Sequence, residues 1–228
     1  MISENINLIR KNIESARRGL QQSVELIAVT KTFPYTDVLE ALKCGVKHIG
    51  ESRIQEAIPK FELLRPHLNG VWKHFIGHLQ SNKAKKAVEN FDLIHSLDSF
   101  DLAQNIDRHA KNINKIQNCL IEVKVSKEET KTGVAPEDVE SFYKQCLNLQ
   151  NVSVKGLMVI PPASENAENS RPYFRDVYAL FKKLQYDYEN FGILSMGMSG
   201  DYITAVEEGA NMVRVGSAIF GDRDYGNK

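Results

Sequence analysis

Leu26-Ile27-Ala28-Val29-Thr30-Lys31-Thr32-Phe33-Pro34 is the stretch that decides the fold. Its apolar start followed by polar turn residues reads as a short buried strand. Pro34 stands where a helix should begin, a position proline tolerates because the first helical N–H has no intrahelical partner anyway. An open doubly wound sheet announces itself by a glycine-rich turn after its first strand. From Thr30 to Pro34 there is no glycine. The turn therefore favours a barrel over an open sheet.

The same unit repeats along the chain. Candidate strands are Leu26–Thr30, Lys47–Gly50, Trp72–Ile76, Leu93–Ser96, Leu120–Val125, Val154–Ile160, Ile193–Met196 and Met212–Val215. Helical segments are predicted between them near 35–44, 53–66, 81–89, 99–112, 136–148, 171–189 and 201–209. Pro136 opens one of these, and Gly45, Gly70, Gly192 and Gly209 sit where helices should stop. Short connections between alternating strands and helices mean parallel strands joined by right-handed crossovers. Strands in that number close a (β/α)8 TIM barrel of the α/β class. Ile6, Ile9, Ile13 and Ala16 recur at helical spacing, which predicts an extra N-terminal helix over 4–20. No linker or low-complexity tract interrupts the pattern, so residues 1–228 are expected to form a single domain. The polar, proline-bounded segment Pro161–Arg171 reads as a mobile loop after the sixth strand.

Composition narrows the function classes. Lysine plus arginine and aspartate plus glutamate are 29 each, so no overall basic balance points to nucleic acid. Cys44, Cys119 and Cys146 are scattered and form no CxxC pair, which argues against a disulfide framework or a structural zinc site. The N-terminus lacks the apolar core of a signal peptide, and no run approaches the ~20 apolar residues that span a bilayer. A soluble cytoplasmic protein is expected.

In a barrel the functional face lies at the C-terminal ends of the strands. Gly197-Met198-Ser199-Gly200-Asp201 and Val215-Gly216-Ser217-Ala218 follow the last two strands, where this fold usually binds phosphate. Glycines let the backbone approach, and helix-terminal N–H groups with a serine hydroxyl suit a dianion. Tight turns with ordinary caps would read the same way. Lys31 ends the first strand and can point into the barrel mouth. Partial burial there would supply the free amine that a Schiff base with an aldehyde needs. A solvated lysine is the plain alternative, but a lysine opposite a phosphate site is what pyridoxal 5′-phosphate (PLP) requires. Arg214 interrupts an otherwise apolar final strand. Facing inward it needs a partner, either the pyridine nitrogen of PLP or a structural ion pair with Glu122 or with the neighbours of Lys124. As a permanent donor it would leave that nitrogen unprotonated, which makes the ring a weaker electron sink. His74 and His78 lack helical metal spacing and a completing ligand, so no metal is expected. Lys83, Lys85 and Lys86 read as a solvated helix face.

These residues fall within strings that resemble one family. Ala28-Val29-Thr30-Lys31, His48-Ile49-Gly50-Glu51, the run His74 to Lys83 (HFIGHLQSNK), the run Leu194 to Asp201 (LSMGMSGD) and the run Val213 to Gly221 (VRVGSAIFG) are similar to the pyridoxal phosphate homeostasis proteins. The resemblance covers nearly the whole chain. It implies a barrel like the N-terminal domain of bacterial alanine racemase. It implies PLP as an internal aldimine on Lys31, phosphate contacts from Ser199, Gly216 and Ser217, and Arg214 at the pyridine nitrogen. Ser52, His78, Met198 and Gly200 complete the expected cofactor-binding set. The family usually carries asparagine where this chain has the shorter Ser52. The implied role is vitamin B6 and amino-acid homeostasis without established turnover. Expected partners are PLP and apo PLP-dependent enzymes as recipients; no nucleic acid and no membrane is expected, and the chain is expected to be a monomer.

Two enzymatic readings compete with that role. An amino-acid racemase needs an acid–base group on each face of the reacting carbon. In alanine racemase the second group is a tyrosine from a C-terminal β domain, which this chain is expected to lack; Tyr225 in the tail is the only tyrosine near the last strand. A sugar-phosphate enzyme forming a Schiff base on the same barrel would bind phosphate without a coloured cofactor.

Overall fold

Each apolar run becomes a parallel strand in the structure, a computed structural model that describes residues 1–17, 23–126 and 132–221. In chain order the elements are α1 (Ile2–Ala16), β1 (Glu25–Val29), α2 (Tyr35–Lys43), β2 (His48–Glu51), α3 (Ile54–Leu64), β3 (Trp72–Phe75), α4 (Ala84–Asn90), β4 (Leu93–Leu97) and α5 (Phe100–Asn112). They continue with β5 (Gln117–Val123), α6 (Val139–Cys146), β6 (Val152–Val159), α7 (Arg171–Asp187), β7 (Ile193–Ser195), α8 (Tyr202–Glu207), β8 (Met212–Val215) and α9 (Ser217–Phe220). The strands pair in sequence order, and β8 pairs β1 to close the barrel. This is the (β/α)8 barrel with an extra N-terminal helix that the sequence predicts.

Strand alternation divides the core in two. Ile27, Leu93, Leu120, Met158 and Met212 point inward and form the apolar layer of the barrel interior. Residues of opposite parity, such as Ala28, Ile49, Ile94 and Val213, meet the helices in a larger outer core. Counting two residues on from Leu93 and Met212 puts His95 and Arg214 inside the barrel as well, and both are buried. The N-terminal helix buries Ile6, Ile9, Ile13 and Ala16 as its periodicity requires. It ends at Ala16, and the predicted extension over 18–20 lies outside the described residues.

Some predicted helices are shorter than their sequence pattern. Ser81–Lys83 and Pro136–Asp138 form 3-10 turns before α4 and α6. Pro136 has no N–H to give, which suits the tight first turn. The segment read as a loop after β6 carries a 3-10 turn at Ala167–Ser170 and gives way to α7 at Arg171. Among the described residues no helix is long and apolar enough to cross a membrane.

Candidate functional site

At the C-terminal face a cleft of about 260 Å³ is lined by Val29, Lys31, Ile76, Ile160, Met198, Ser199, Gly200, Arg214, Gly216 and Ser217. Parity explains its apolar wall. Val29, Ile76 and Ile160 each lie two residues beyond an inward side chain, after Ile27, His74 and Met158. Sequence reasoning passed over these three, although the same step of two that locates Arg214 would have found them.

Lys31 is the first residue of the turn after β1 and is half-buried. The following Thr32 has φ 70°, and Phe33 N–H donates to the Thr30 carbonyl at 3.2 Å. The lysine therefore stands at the apex of a tight, closed turn at the edge of the cleft.

Across the cleft the two small-residue turns meet. Ser199 Oγ accepts hydrogen bonds from the N–H groups of Gly216 (3.1 Å) and Ala218 (3.3 Å). Asp201 Oδ1 accepts from Met198 N–H at 2.7 Å and so shapes the first turn. That turn requires Gly197: its φ is 91°, and an added Cβ would stand 2.5 Å from Ala205 Cβ. Gly200 sits in the open, where an added Cβ would meet nothing within 4 Å. The result is a rim of backbone donors and one hydroxyl facing the lysine.

Arg214 forms the floor. It is 3% exposed, with Nη1 donating to Ser195 Oγ (2.8 Å) and Nη2 to the Val159 carbonyl (2.9 Å). Its hydrogen bonds thus go to a hydroxyl and a carbonyl and not to Glu122. Burial pulls its basicity down to about 10, opposed by the charges of Asp201 and Glu122, so the guanidinium stays charged at neutral pH. Five N–H donors against two bonds leave capacity for a ligand.

Two candidate residues stand apart from this cleft. His78 lines a neighbouring hollow with Glu122, Lys124 and Thr132, which shares Ile160 with the first. Its Nδ1 lies 3.5 Å from Asp98 Oδ2. Ser52 is packed from behind by Gly77, where an added Cβ would stand 2.3 Å from the Ser52 carbonyl oxygen. Neither residue is a cleft wall in this conformation.

His74 belongs to other chemistry. It sits inside the barrel between His48 (Nδ1 to His74 Nε2, 2.9 Å) and His95 (Nε2 to His74 Nδ1, 3.0 Å). Among the described residues no group of His, Cys, Asp and Glu is arranged to hold a metal ion. Burial raises the thiol pKa of both Cys119 and Cys146, the latter to about 12, which makes them poor nucleophiles. Lys85 and Lys86 are exposed on α4, and Lys83 is half-buried just before it. Tyr225 lies outside the described residues.

Comparison with known proteins bears on this geometry. Residues 5–224 match the family model for the alanine racemase N-terminal domain. The chain is 45% identical over 226 residues to the pyridoxal phosphate homeostasis protein of Aquifex aeolicus (strain VF5), covering 98% of this chain and 97% of that one. Among solved structures it is similar to PipY of Synechococcus elongatus PCC7942 with PLP bound, at TM-score 0.85 and 38% identity, covering 97% of this chain and 100% of that one. An alanine racemase of Clostridium difficile 630 shares the fold at TM-score 0.70 and 17% identity, with 99% of this chain and 57% of that one covered.

Proposed function

We propose a function from one premise: the chain belongs to the pyridoxal phosphate homeostasis protein family. It binds PLP and takes part in vitamin B6 homeostasis, as a single barrel domain that holds the cofactor for release to apo PLP-dependent enzymes. The observation that carries this reading is the cleft itself, which opposes a lysine to a rim of phosphate-type donors with a spare-donor arginine between them.

The residues fit the group. PLP supplies an aldehyde for an amine, a phosphate dianion and a pyridine nitrogen. Lys31 would hold the aldehyde end covalently. The N–H groups of Gly216 and Ala218, now on Ser199 Oγ, with the Ser199 and Ser217 hydroxyls, would hold the phosphate. Arg214 would donate to the ring nitrogen and keep it unprotonated. Met198 and Gly200 border the same space. Ser52 and His78 are not among the residues that line this cleft; His78 lines the adjoining hollow that shares Ile160 with it.

Holding, and not turnover, is the activity this cleft supports. Two-base racemisation needs a proton-transfer group on each face of the reacting carbon. Among the described lining residues, Lys31 is the one side chain suited to that task at neutral pH. The PLP-loaded protein, kept with L-alanine in deuterated water, is expected to gain no Cα deuterium at ~1 s⁻¹ or faster, the low end for ordinary enzymes. Exchange at such a rate would establish a racemase instead.

The decisive experiment for the site is borohydride reduction of the loaded protein followed by peptide mapping. The adduct is expected on Lys31, and Lys31→Ala should lose the visible absorbance. An adduct on another lysine, with Lys31→Ala still coloured, would overturn the assignment.

A further inference from the structure

Behind the Lys31 turn, on the helix-facing side of the barrel wall, lies a buried charge pair. Gly50 faces inward, since an added Cβ would meet Ile27 and Ile76, so Glu51 faces outward. Glu51 is 0% exposed. Its Oε1 accepts from Thr30 Oγ1 at 2.7 Å and from Lys60 Nζ, reaching in from α3, also at 2.7 Å. Lys60 Nζ donates in addition to the Thr30 carbonyl at 2.7 Å. That carbonyl also receives Phe33 N–H, and Thr30 N–H goes to the Gly50 carbonyl at 2.9 Å. Every polar group of Thr30 is therefore tied down, and Thr30 is the residue directly before Lys31.

The other end of the turn is fixed too. Thr32 adopts φ 70°, an unfavourable conformation for a β-branched residue that persists only where the surroundings impose it. Phe33 is buried against Phe220, with ring centroids 4.7 Å apart. Phe220 belongs to α9, the short helix that starts at Ser217 in the phosphate-type rim. Lys31 thus stands between two anchors, one on β2 and α3 and the other on the rim itself. A buried ion pair is a poor source of net stability, because desolvation offsets its attraction. Glu51 Oε2 is buried without a hydrogen-bond partner among the described residues, which adds to that cost. The pair is better explained by what it holds.

We propose that Glu51 and Lys60 are positioning residues that, through Thr30, aim the Lys31 amine at the aldehyde of PLP without touching the cofactor. Attachment joins the lysine nitrogen to the aldehyde carbon, and the two amine hydrogens leave with the aldehyde oxygen as water. Its equilibrium and rate depend on where the nitrogen stands, whereas the hydrogen bonds that shape the phosphate rim, from Gly216 and Ala218 N–H to Ser199 Oγ, do not involve Thr30. The inference rests on the reading of Lys31 given above.

The test compares PLP with pyridoxine 5′-phosphate, which carries the phosphate and ring but no aldehyde, on the full chain. The variants are Lys60→Met and the charge-balanced Glu51→Gln/Lys60→Met, the second guarding against an unpaired buried carboxylate in the first. In whichever variant folds, judged by circular dichroism, PLP affinity is expected to fall about tenfold or more, the scale on which small misplacements act. Growth of the visible band should slow as well, while pyridoxine 5′-phosphate affinity stays within about twofold of wild type. Equal losses for both ligands, or no loss for PLP, would overturn the proposal. Wild-type protein whose Lys31 is not trapped by borohydride would overturn the underlying reading instead, so the two failures are distinguishable.

Discussion

Arg214 brings a permanent charge into the barrel interior, where it donates to two neutral partners, Ser195 and the Val159 carbonyl, and is supported by the charges of Asp201 and Glu122. A neutral interior tolerates such a charge better when its remaining donors find an acceptor. A pyridine nitrogen provides one without adding an opposite charge. The phosphate end works differently. Gly216 and Ala218 N–H groups are satisfied by Ser199 Oγ, so a phosphate oxygen bound there would have to compete with that hydroxyl and would win through its charge. Charge-assisted hydrogen bonds contribute roughly 1.5–3 kcal/mol each. Loss of two of them corresponds to about a hundredfold or more in affinity. Pyridoxal, which lacks the phosphate, is therefore expected to bind at least about a hundredfold more weakly than PLP in an absorbance titration. Equal affinities would show that the two turns do not hold the phosphate.

Elements show why part of this was readable from sequence and part was not. The barrel was legible because each strand carries its own apolar run and the helices between them have 3.6-residue periodicity. The cleft was legible where a chemically distinctive residue interrupts a pattern, as Lys31 and Arg214 do, or where glycine and serine cluster after β7 and β8. Its apolar wall was hidden because Val29, Ile76 and Ile160 look like ordinary strand residues. The short helix α9 escaped because Ser217–Phe220 is too brief for periodicity to register. Strand β6 starts earlier than its run suggests, at Val152, and holds a bulge where its pairing with β5 skips Lys155. Gly156 makes that bulge possible: at φ 153° an added Cβ would stand 1.8 Å from the Ile193 carbonyl oxygen. A single glycine in an apolar run does not announce such a contact. His78 and Ser52, also expected at the site, do not line the cleft itself, for a related reason. Both follow the C-terminal ends of strands, but strand position does not say which way a turn folds. The Glu51–Lys60 pair had no sequence signal, since its partners sit on different elements and no spacing rule links a strand carboxylate to a helix lysine.

At the scale of the whole molecule, the barrel carries a second polar system toward its N-terminal face, where this fold keeps stability and not chemistry. Glu25 Oε2 lies 3.2 Å from His48 Nε2, and the chain continues from His48 to His74 to His95. With the Glu25 carboxylate accepting, one set of tautomers satisfies every link: each histidine donates from Nε2, and His48 and His74 accept at Nδ1. All three are then neutral. Burial lowers the basicity of each, that of His74 to about 3; at His74 and His95 a proton would also be opposed by any charge taken up on the neighbouring histidines, and at His95 by Arg214. An unfolded histidine takes up a proton near pH 6.5, whereas folded His74 resists one until about 3. Below pH 6.5 the unfolded state therefore binds more protons, and stability falls as pH falls, by roughly 1.4 kcal/mol per pH unit for each such histidine. Glu51, Asp98 and Glu122, whose acidity is weakened by burial, act in the opposite sense. Their effect cancels when wild type is compared with His74→Gln, which keeps a hydrogen-bonding side chain but cannot titrate. The variant is expected to be less stable at pH 7.5, because it disturbs a packed chain. On moving to pH 5.5 the wild type alone incurs the His74 penalty, so the gap in Tm should narrow by about 3–5 °C for a chain of this length. Thermal unfolding followed by circular dichroism at the two pH values measures it. A gap that stays constant would mean that folded His74 takes up its proton at the same pH as an unfolded histidine, and a gap that widens would mean that it is already protonated in the folded barrel; either result would require the neutral tautomer chain to be abandoned.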